Sequence, residues 1–175
     1  MIEHRLIERM VALMREQLAR VHGRHECDPD FIGAAVDFIR SYADRCHHGK
    51  EEDILFRALA AQPLEEPLQT VLQELIDEHA RSRGATGRLA DANERYQQGE
   101  AGALAEIEQC LEELVSLYPQ HIAKEDRHFF VPAQQCFSQP ELAAMLDRFW
   151  EFDRQLLHER YRHVVGQWEG AQHRP

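Results

Sequence analysis

Little in this chain of 175 residues points to a membrane, a disulfide scaffold or a nucleic-acid ligand. No apolar run approaches the roughly 18 residues needed to span a bilayer. The four cysteines (Cys27, Cys46, Cys110 and Cys136) fall in no CxxC or other zinc-ribbon spacing and read as reduced, mostly buried thiols. The opening Met1-Ile-Glu-His-Arg-Leu-Ile has no basic-then-apolar leader, so a cytoplasmic location is the expectation. With 20 basic against 31 acidic residues, a net charge of −11, nucleic acid and anionic membrane are poor partners. Strand signals and low-complexity linkers are missing too. The length suits one domain with a core of its own.

What the chain does have is helical periodicity and histidine. Leu6, Met10, Leu13 and Val21 recur at helical spacing in a first stretch of about 2–22, which Gly23 is placed to close. Asp28-Pro29 restarts the chain as N-cap and first-turn proline, and Phe31, Ala35, Phe38, Ile39 and Tyr42 carry a second helix to about residue 59. A third runs over about 68–96, weakened in its middle by Gly84 and Gly87, and a fourth over about 103–135. Ser138-Gln-Pro140-Glu starts a fifth, about 139–166, and residues 167–175 read as a loose tail. Short connections favour antiparallel neighbours, so the predicted fold is all-α: a single domain over 1–166, an up-down four-helix bundle with one additional C-terminal helix.

Eleven histidines are a high count, and several stand in a repeat. His47-His-Gly-Lys-Glu51-Glu-Asp-Ile-Leu-Phe56 returns further along the chain as His121-Ile-Ala-Lys-Glu125-Asp-Arg-His-Phe-Phe130, with one constant offset from His47 to His121 and from Glu51 to Glu125. Glu3-His4 precedes the first copy, and Glu78-His79 precedes the second at an offset only one position longer. His and Glu four apart share one helix face, one turn above the other. In an antiparallel hairpin, positions equally far from the loop lie at one height. His4 precedes His22 by the same interval by which His47 follows Pro29, and His79 precedes Gln97 by the interval by which His121 follows Ala103. At 1.5 Å per residue each is about 27 Å from its loop. The four imidazoles therefore fall in one layer, with Glu51 and Glu125 a turn away.

Unpartnered carboxylates in a bundle core are costly, and metal cations remove that cost. Carboxylates can bridge two ions while neutral imidazoles fill terminal positions. With no thiolate in the set, a structural zinc or iron–sulfur site is disfavoured. Two iron ions are the preferred reading, with manganese and zinc left open. A lone His-x3-Glu is usually an exposed pair worth about 0.3–0.5 kcal/mol, but surface pairs have no reason to recur at one height in both hairpins. Glu52, Asp53, Asp126 and Arg81-Ser-Arg83 read as solvated faces. His48, offset by about 100° from His47 on an α-helix, either faces solvent or reaches in from the side as a further ligand. Tyr118 is a core tyrosine or a donor to a bound ligand. His128 reads as core or as support to the site, and His22, His25, His158, His163 and His173 as surface. Pro119 predicts a kink just before His121. Phe149, Trp150, Phe152 and Trp168 either cover the bundle or form a dimer contact, and the oligomeric state is left open.

These motifs resemble the hemerythrin-like family, in particular its bacterial HHE cation-binding domains. The matching stretches are Glu3-His4-Arg, His47-His-Gly-Lys-Glu51-Glu, Glu78-His79 and Tyr118-Pro-Gln-His121-Ile-x-Lys-Glu125-Asp. The resemblance implies a four-helix bundle with His4, His47, His79 and His121 as terminal ligands and Glu51 and Glu125 bridging two irons. Oxygen-carrying members have His-x3-His on the third helix, where this chain has Leu75, and an Asp five after the last His, where this chain has Glu125 at four. One imidazole fewer leaves a position for His48, Tyr118 or water. The resemblance implies binding or sensing of oxygen or nitric oxide, or an oxidoreductase consuming peroxide or nitric oxide, or iron handling.

Overall fold

The computed structural model describes residues 2–154 and 157–172, and every regular element among them is helical. α1 is Ile2–Arg24. α2 covers residues 29–59: an α-helical start at Pro29–Phe38, wide π-helical turns at Ile39–His48 and Glu51–Phe56, and a last α turn at Arg57–Leu59. α3 is Glu66–Gln97. α4 covers residues 103–135, with Ala103–Lys124 and Phe130–Gln135 α-helical and Glu125–Phe129 a π-helical turn between them. α5 is Gln139–Asp153 and α6 is Leu157–Gln172.

The first four helices form the expected up-down bundle, with α1 beside α4, α4 beside α3, α3 beside α2 and α2 beside α1. Local chemistry sets the ends. The Asp28 carboxylate accepts from the backbone N–H groups of Asp30 and Phe31 at 3.1 Å, and Pro29 sits in the first turn. Ser138 and Glu141 form a capping box at the start of α5. Gly99 and Gly102, both with positive φ, turn the chain from α3 into α4. α1 ends differently from expectation: it runs through Gly23, and His25 takes the left-handed position with φ 54° while its N–H bonds the Val21 carbonyl.

The single fifth helix expected over 139–166 is two helices, and its middle, residues 155–156, lies outside the described residues. α6 continues past Gly166 to Gln172, where a loose tail was expected. Packing holds it there: Trp168 meets Phe31 edge-on at 5.1 Å, Tyr161 is fully buried against Phe38, and Arg9 pairs with Glu169. His173 lies outside the described residues. α6 covers the α1–α2 seam, while Phe149 and Phe152 of α5 pack on the far end of α2; Trp150 points outward. No helix among the described residues is long and apolar enough to cross a membrane.

The apolar core is in two parts. The larger holds Met10, Met14, Phe31, Phe38, Leu89 and Leu114; the smaller holds Phe56, Leu59, Leu72, Leu75 and Phe129. Fully burying a side chain of this size contributes roughly 1.5–3 kcal/mol. Between the two parts lies a layer of buried polar groups.

Candidate metal centre

That layer contains the six residues singled out by the repeat. His4 and Glu125 are fully buried, as is His79, and His47, Glu51 and His121 are no more than 2% exposed. α1 supplies His4, α2 supplies His47 and Glu51, α3 supplies His79, and α4 supplies His121 and Glu125. The imidazoles form two pairs, with His4 Nε2 3.2 Å from His47 Nε2 and His79 Nε2 3.3 Å from His121 Nε2. Each glutamate reaches both pairs. Glu125 places one oxygen 3.1 Å from His4 Nε2 and the other 3.2 Å from His121 Nε2. One Glu51 oxygen lies 3.8 Å from His47 Nε2 and 3.5 Å from His79 Nε2. The result is two adjoining four-residue pockets, His4/His47/Glu51/Glu125 and His79/His121/Glu51/Glu125, with both glutamates common to the two.

The other ring nitrogen of each histidine is occupied by a carboxylate. Glu3 accepts from His47 Nδ1 at 2.7 Å, Glu52 from His79 Nδ1 at 2.7 Å, Glu78 from His121 Nδ1 at 2.8 Å, and Asp126 from His4 Nδ1 at 3.1 Å. The four bonds close a ring around the bundle. α1 holds the histidine of α2, α2 that of α3, α3 that of α4, and α4 that of α1. A carboxylate on Nδ1 fixes the tautomer with its hydrogen there and leaves the Nε2 lone pair facing inward. Lys50 pairs with Glu3, and Lys124 donates to Glu78 at 2.7 Å, so the repeat extends to these cations at the offset that relates His47 to His121.

Of the residues read as solvated faces, Asp53 and Arg81 do lie in the open and Glu52 and Asp126 keep an exposed side, but Glu52 and Asp126 each also hold a histidine of the layer, and Ser82 is buried. Arg83, itself exposed, bridges Glu52 and Asp44 at 2.7 Å each. The signal was in the repeat, since Glu52 and Asp126 are separated by the same offset. His158, expected at the surface, is half-buried: Tyr42 bonds its Nδ1 at 2.7 Å, and its Nε2 lies 3.3 Å from both Glu3 and Asp153. Lys50 already sits among those acids, so this second group of polar residues has its cation. His128 is exposed, not core or support to the site, because the π-helical turn at Glu125–Phe129 shifts the helix phase after His121. α4 is α-helical from Ala103 through Pro119 to Lys124, and a π-helical turn follows at Glu125.

The two further candidates separate. The Tyr118 hydroxyl is buried against Ser82 Oγ at 2.8 Å, which is the core reading, and burial pushes its pKa up. His48 is inside the bundle, not on its surface. The wide turns of α2 reduce the angular step between successive residues, so neighbours that would diverge on an α-helix both reach inward.

Without a cation the layer buries ionisable groups directly against one another. Burial, and then the Glu125 charge, hold the Glu51 pKa well above the ordinary carboxylate range. Burial would raise Glu125 as well, but the adjoining His121 and His4 imidazoles bring it well below that range. His121 is lifted to about 9: burial opposes this, and Glu125 and Glu78 overcome it. Burial lowers His79 despite its bond to Glu52, and it lowers His48 further, reinforced by the neighbouring imidazoles. Glu3 falls to about 2, burial being outweighed by His47 and Lys50. No oxygen of Glu51 or Glu125 receives a well-formed hydrogen bond. With the imidazoles neutral, their inward nitrogens and the two carboxylates are donors that metal cations would join.

The sequence model of the hemerythrin HHE cation-binding domain matches residues 1–133 and again 70–168. The chain belongs to the hemerythrin HHE cation-binding family. It is thus a helical metal-binding protein of the kind in which iron is typical. No curated protein and no solved structure matches the chain. The two placements of the family model overlap, the second starting in α3, as expected of a domain whose halves repeat.

The ring of outer carboxylates carries a prediction. Glu52→Gln should weaken retention of metal by about 10–100-fold, because the amide no longer orients His79 or raises its basicity. Asp53→Asn, at the next position and solvent-exposed, should leave retention unchanged. Competition with a chromophoric chelator measures both, and equal retention in the two variants would refute the role given to Glu52.

Proposed function

We propose that this HHE-family protein holds two iron ions between its helices and takes up a small ligand such as oxygen or nitric oxide there. Supporting this are the six donors themselves: four imidazole nitrogens and two carboxylates, nitrogen- and oxygen-only, with each carboxylate common to both pockets. His4 and His47 would hold one ion, His79 and His121 the other, with Glu51 and Glu125 between them. Such a donor set suits iron, and it suits manganese or zinc as the rival ions. Iron in this shell supplies one-electron chemistry and affinity for small ligands.

The protein contributes orientation, insulation and charge. The outer ring fixes four imidazoles before any ion arrives, so little ordering is needed on binding. Apolar packing on both sides of the layer, from Met10 and Tyr118 to Phe56 and Phe129, keeps bulk water from the donors. Two carboxylates offset part of the charge of two divalent ions, and the neutral imidazoles add none. The closed layer admits a diatomic molecule or peroxide more readily than an extended substrate.

Metal analysis of protein expressed with iron supplied tests the reading, the expected result being two irons per chain. Addition and removal of oxygen from the reduced protein should then give a reversible spectral change. Rapid oxidation with turnover of peroxide would replace the binding function by an oxidoreductase one. Zinc or manganese in place of iron, or one ion per chain, would overturn the two-iron centre.

A further inference from the structure

The outer carboxylates differ in what stands behind them. Glu52 and Glu78 accept from cations, Arg83 and Lys124. Glu3, which holds His47, has Lys50 and also a further imidazole: His158 Nε2 of α6 lies 3.3 Å from Glu3 and 3.3 Å from Asp153. Two carboxylates there favour the hydrogen on Nε2, which leaves Nδ1 as an acceptor. Tyr42 donates to that Nδ1 at 2.7 Å. Tyr42 is 1% exposed, and its ring centroid lies 5.9 Å from that of the fully buried Tyr161. The Tyr161 hydroxyl donates to the exposed Asp37 at 2.9 Å. A line of contacts thus runs from His47 through Glu3, His158, Tyr42 and Tyr161 to Asp37 at the surface.

A buried tyrosine needs a partner for its hydroxyl whatever its role, and packing alone accounts for that much. Packing does not account for the kind of partner. Tyr118, buried to the same degree and on the helix of His121, bonds the neutral Ser82 hydroxyl at 2.8 Å. Tyr42 and Tyr161 each bond a base, one an imidazole nitrogen and the other a carboxylate oxygen. A phenol gives up an electron readily only where its proton can leave as well, because the ring cation formed otherwise is an unpaired charge in an apolar core. Burial raises the pKa of both phenols, so both keep their protons until an electron is withdrawn. The metal donors recur in the second copy of the repeat, but the position matching Tyr42 there is Ser116.

We propose that Tyr42 and Tyr161 form an electron route between the iron layer and the protein surface, supplying the electrons consumed when hydrogen peroxide reacts at the ferric centre. The assignment rests on the two-iron reading above. The O–O bond of one peroxide breaks, and two electrons with two protons from solvent convert it to two waters, the irons ending ferric as they began. One electron comes from each tyrosine. The Tyr42 proton passes to His158 Nδ1 and the Tyr161 proton to Asp37, leaving two neutral phenoxyl radicals. The imidazolium formed at His158 faces Glu3, Asp153 and the Lys50 ammonium, two negative charges against one positive, so its own charge makes the group neutral. Oxidising power is carried in this way off the buried imidazoles to a place where a reductant in solution can quench it.

Freeze-quench electron paramagnetic resonance of the diferric protein mixed with hydrogen peroxide tests the route, with iron content measured in every sample. A tyrosyl radical with ring-proton hyperfine splitting is expected in the wild type. Tyr42→Phe should abolish it, because Tyr161 is then cut off from the centre, whereas Tyr161→Phe should leave a signal from Tyr42 alone. His158→Gln, which keeps both rings, should slow radical formation by about 100-fold or more, the usual worth of a positioned proton acceptor. Tyr118→Phe should change nothing. No radical in the wild type, a radical that survives in Tyr42→Phe or forms at full rate in His158→Gln, its loss in Tyr118→Phe, or an equal signal from metal-free protein would overturn the route while leaving two irons per chain in place. Fewer than two irons in the wild type would instead overturn the reading on which it rests.

Discussion

Stripping the metal from the loaded protein with a strong chelator will lower its melting temperature by about 15–30 °C. An ion that binds the folded state alone, at a free concentration a thousand times its dissociation constant, adds about 4 kcal/mol, and two such ions add about 8. For a chain of this size each kcal/mol moves the midpoint by roughly 2–4 °C. The physical origin is the layer between the two apolar clusters. Without ions, His4 Nε2 faces His47 Nε2 at 3.2 Å and His79 Nε2 faces His121 Nε2 at 3.3 Å, and both inner glutamates lack well-formed hydrogen bonds. Ions replace these imidazole–imidazole and imidazole–carboxylate contacts with coordinate bonds. The stripped protein should stay folded at 25 °C, because Phe38, Tyr42, Leu89 and Leu114 on one side and Leu59 and Phe129 on the other do not depend on the ions. Differential scanning calorimetry before and after chelation, with recovery on adding iron back, is the measurement. A shift of only a few degrees would mean that the layer is satisfied without metal, and the charge argument made for it would fall.

How the layer could be seen from the sequence, and where sight failed, follows from helix geometry. His4, His47, His79 and His121 were legible because distance from a loop fixes height in an antiparallel bundle, and that count tolerates errors of a few positions. Glu51 and Glu125 were legible because a step of four is about one turn in an α-helix and little less in a wider one. Facing is more fragile than height. His48 and His128 were misjudged or left open because each lies within or beyond a π-helical turn, and nothing in the local composition of Ile39–His48 or Glu125–Phe129 announces one. A single widened turn moves every later residue to a new face, which brings His48 in and sends His128 out.

The bonds that Glu52 and Asp126 make to histidines were missed for another reason. Each follows an inner glutamate directly, and the α-helical step of about 100° sent them outward on paper. They do point away from the centre, but toward the histidine of the adjacent helix, where an outward carboxylate meets Nδ1. Single-helix patterns cannot show a bond that exists only between helices. The recurrence of Glu3 with Glu78, Lys50 with Lys124 and Glu52 with Asp126 was nevertheless visible, and it extends the repeat from the donors to the residues that hold them. Likewise α6 could not be read as ordered past Gly166, because its hold on the bundle depends on Phe31 and Arg9, near the opposite end of the chain.

Replacing the two inner glutamates one at a time should abolish retention of both ions in each case yet move the stability of the metal-free protein in opposite directions. Both variants lose metal because each glutamate belongs to both pockets. Metal-free Glu51→Met should be more stable than metal-free wild type by about 1–4 kcal/mol, or roughly 2–15 °C, as when a buried ionic group gives way to an apolar one of like volume. Glu51 is 2% exposed, its oxygens have no well-formed hydrogen bond, and burial and the Glu125 charge push its pKa up, so its removal takes away a cost. Metal-free Glu125→Met should be less stable, by about 3–5 kcal/mol, as when one member of a buried ion pair is deleted. Glu125 stands 3.1 Å from His4 and 3.2 Å from His121, and His121, lifted to about 9 by Glu125 and Glu78 against burial, would keep a positive charge facing an apolar side chain. The sign difference is therefore a property of the empty layer, and metal retention is a property of the filled one. Chemical denaturation of the chelated variants at pH 7, alongside metal analysis, separates the two. Equal destabilisation by both substitutions would show that Glu51 has a partner in the metal-free protein and that the two carboxylates do not divide their roles in this way.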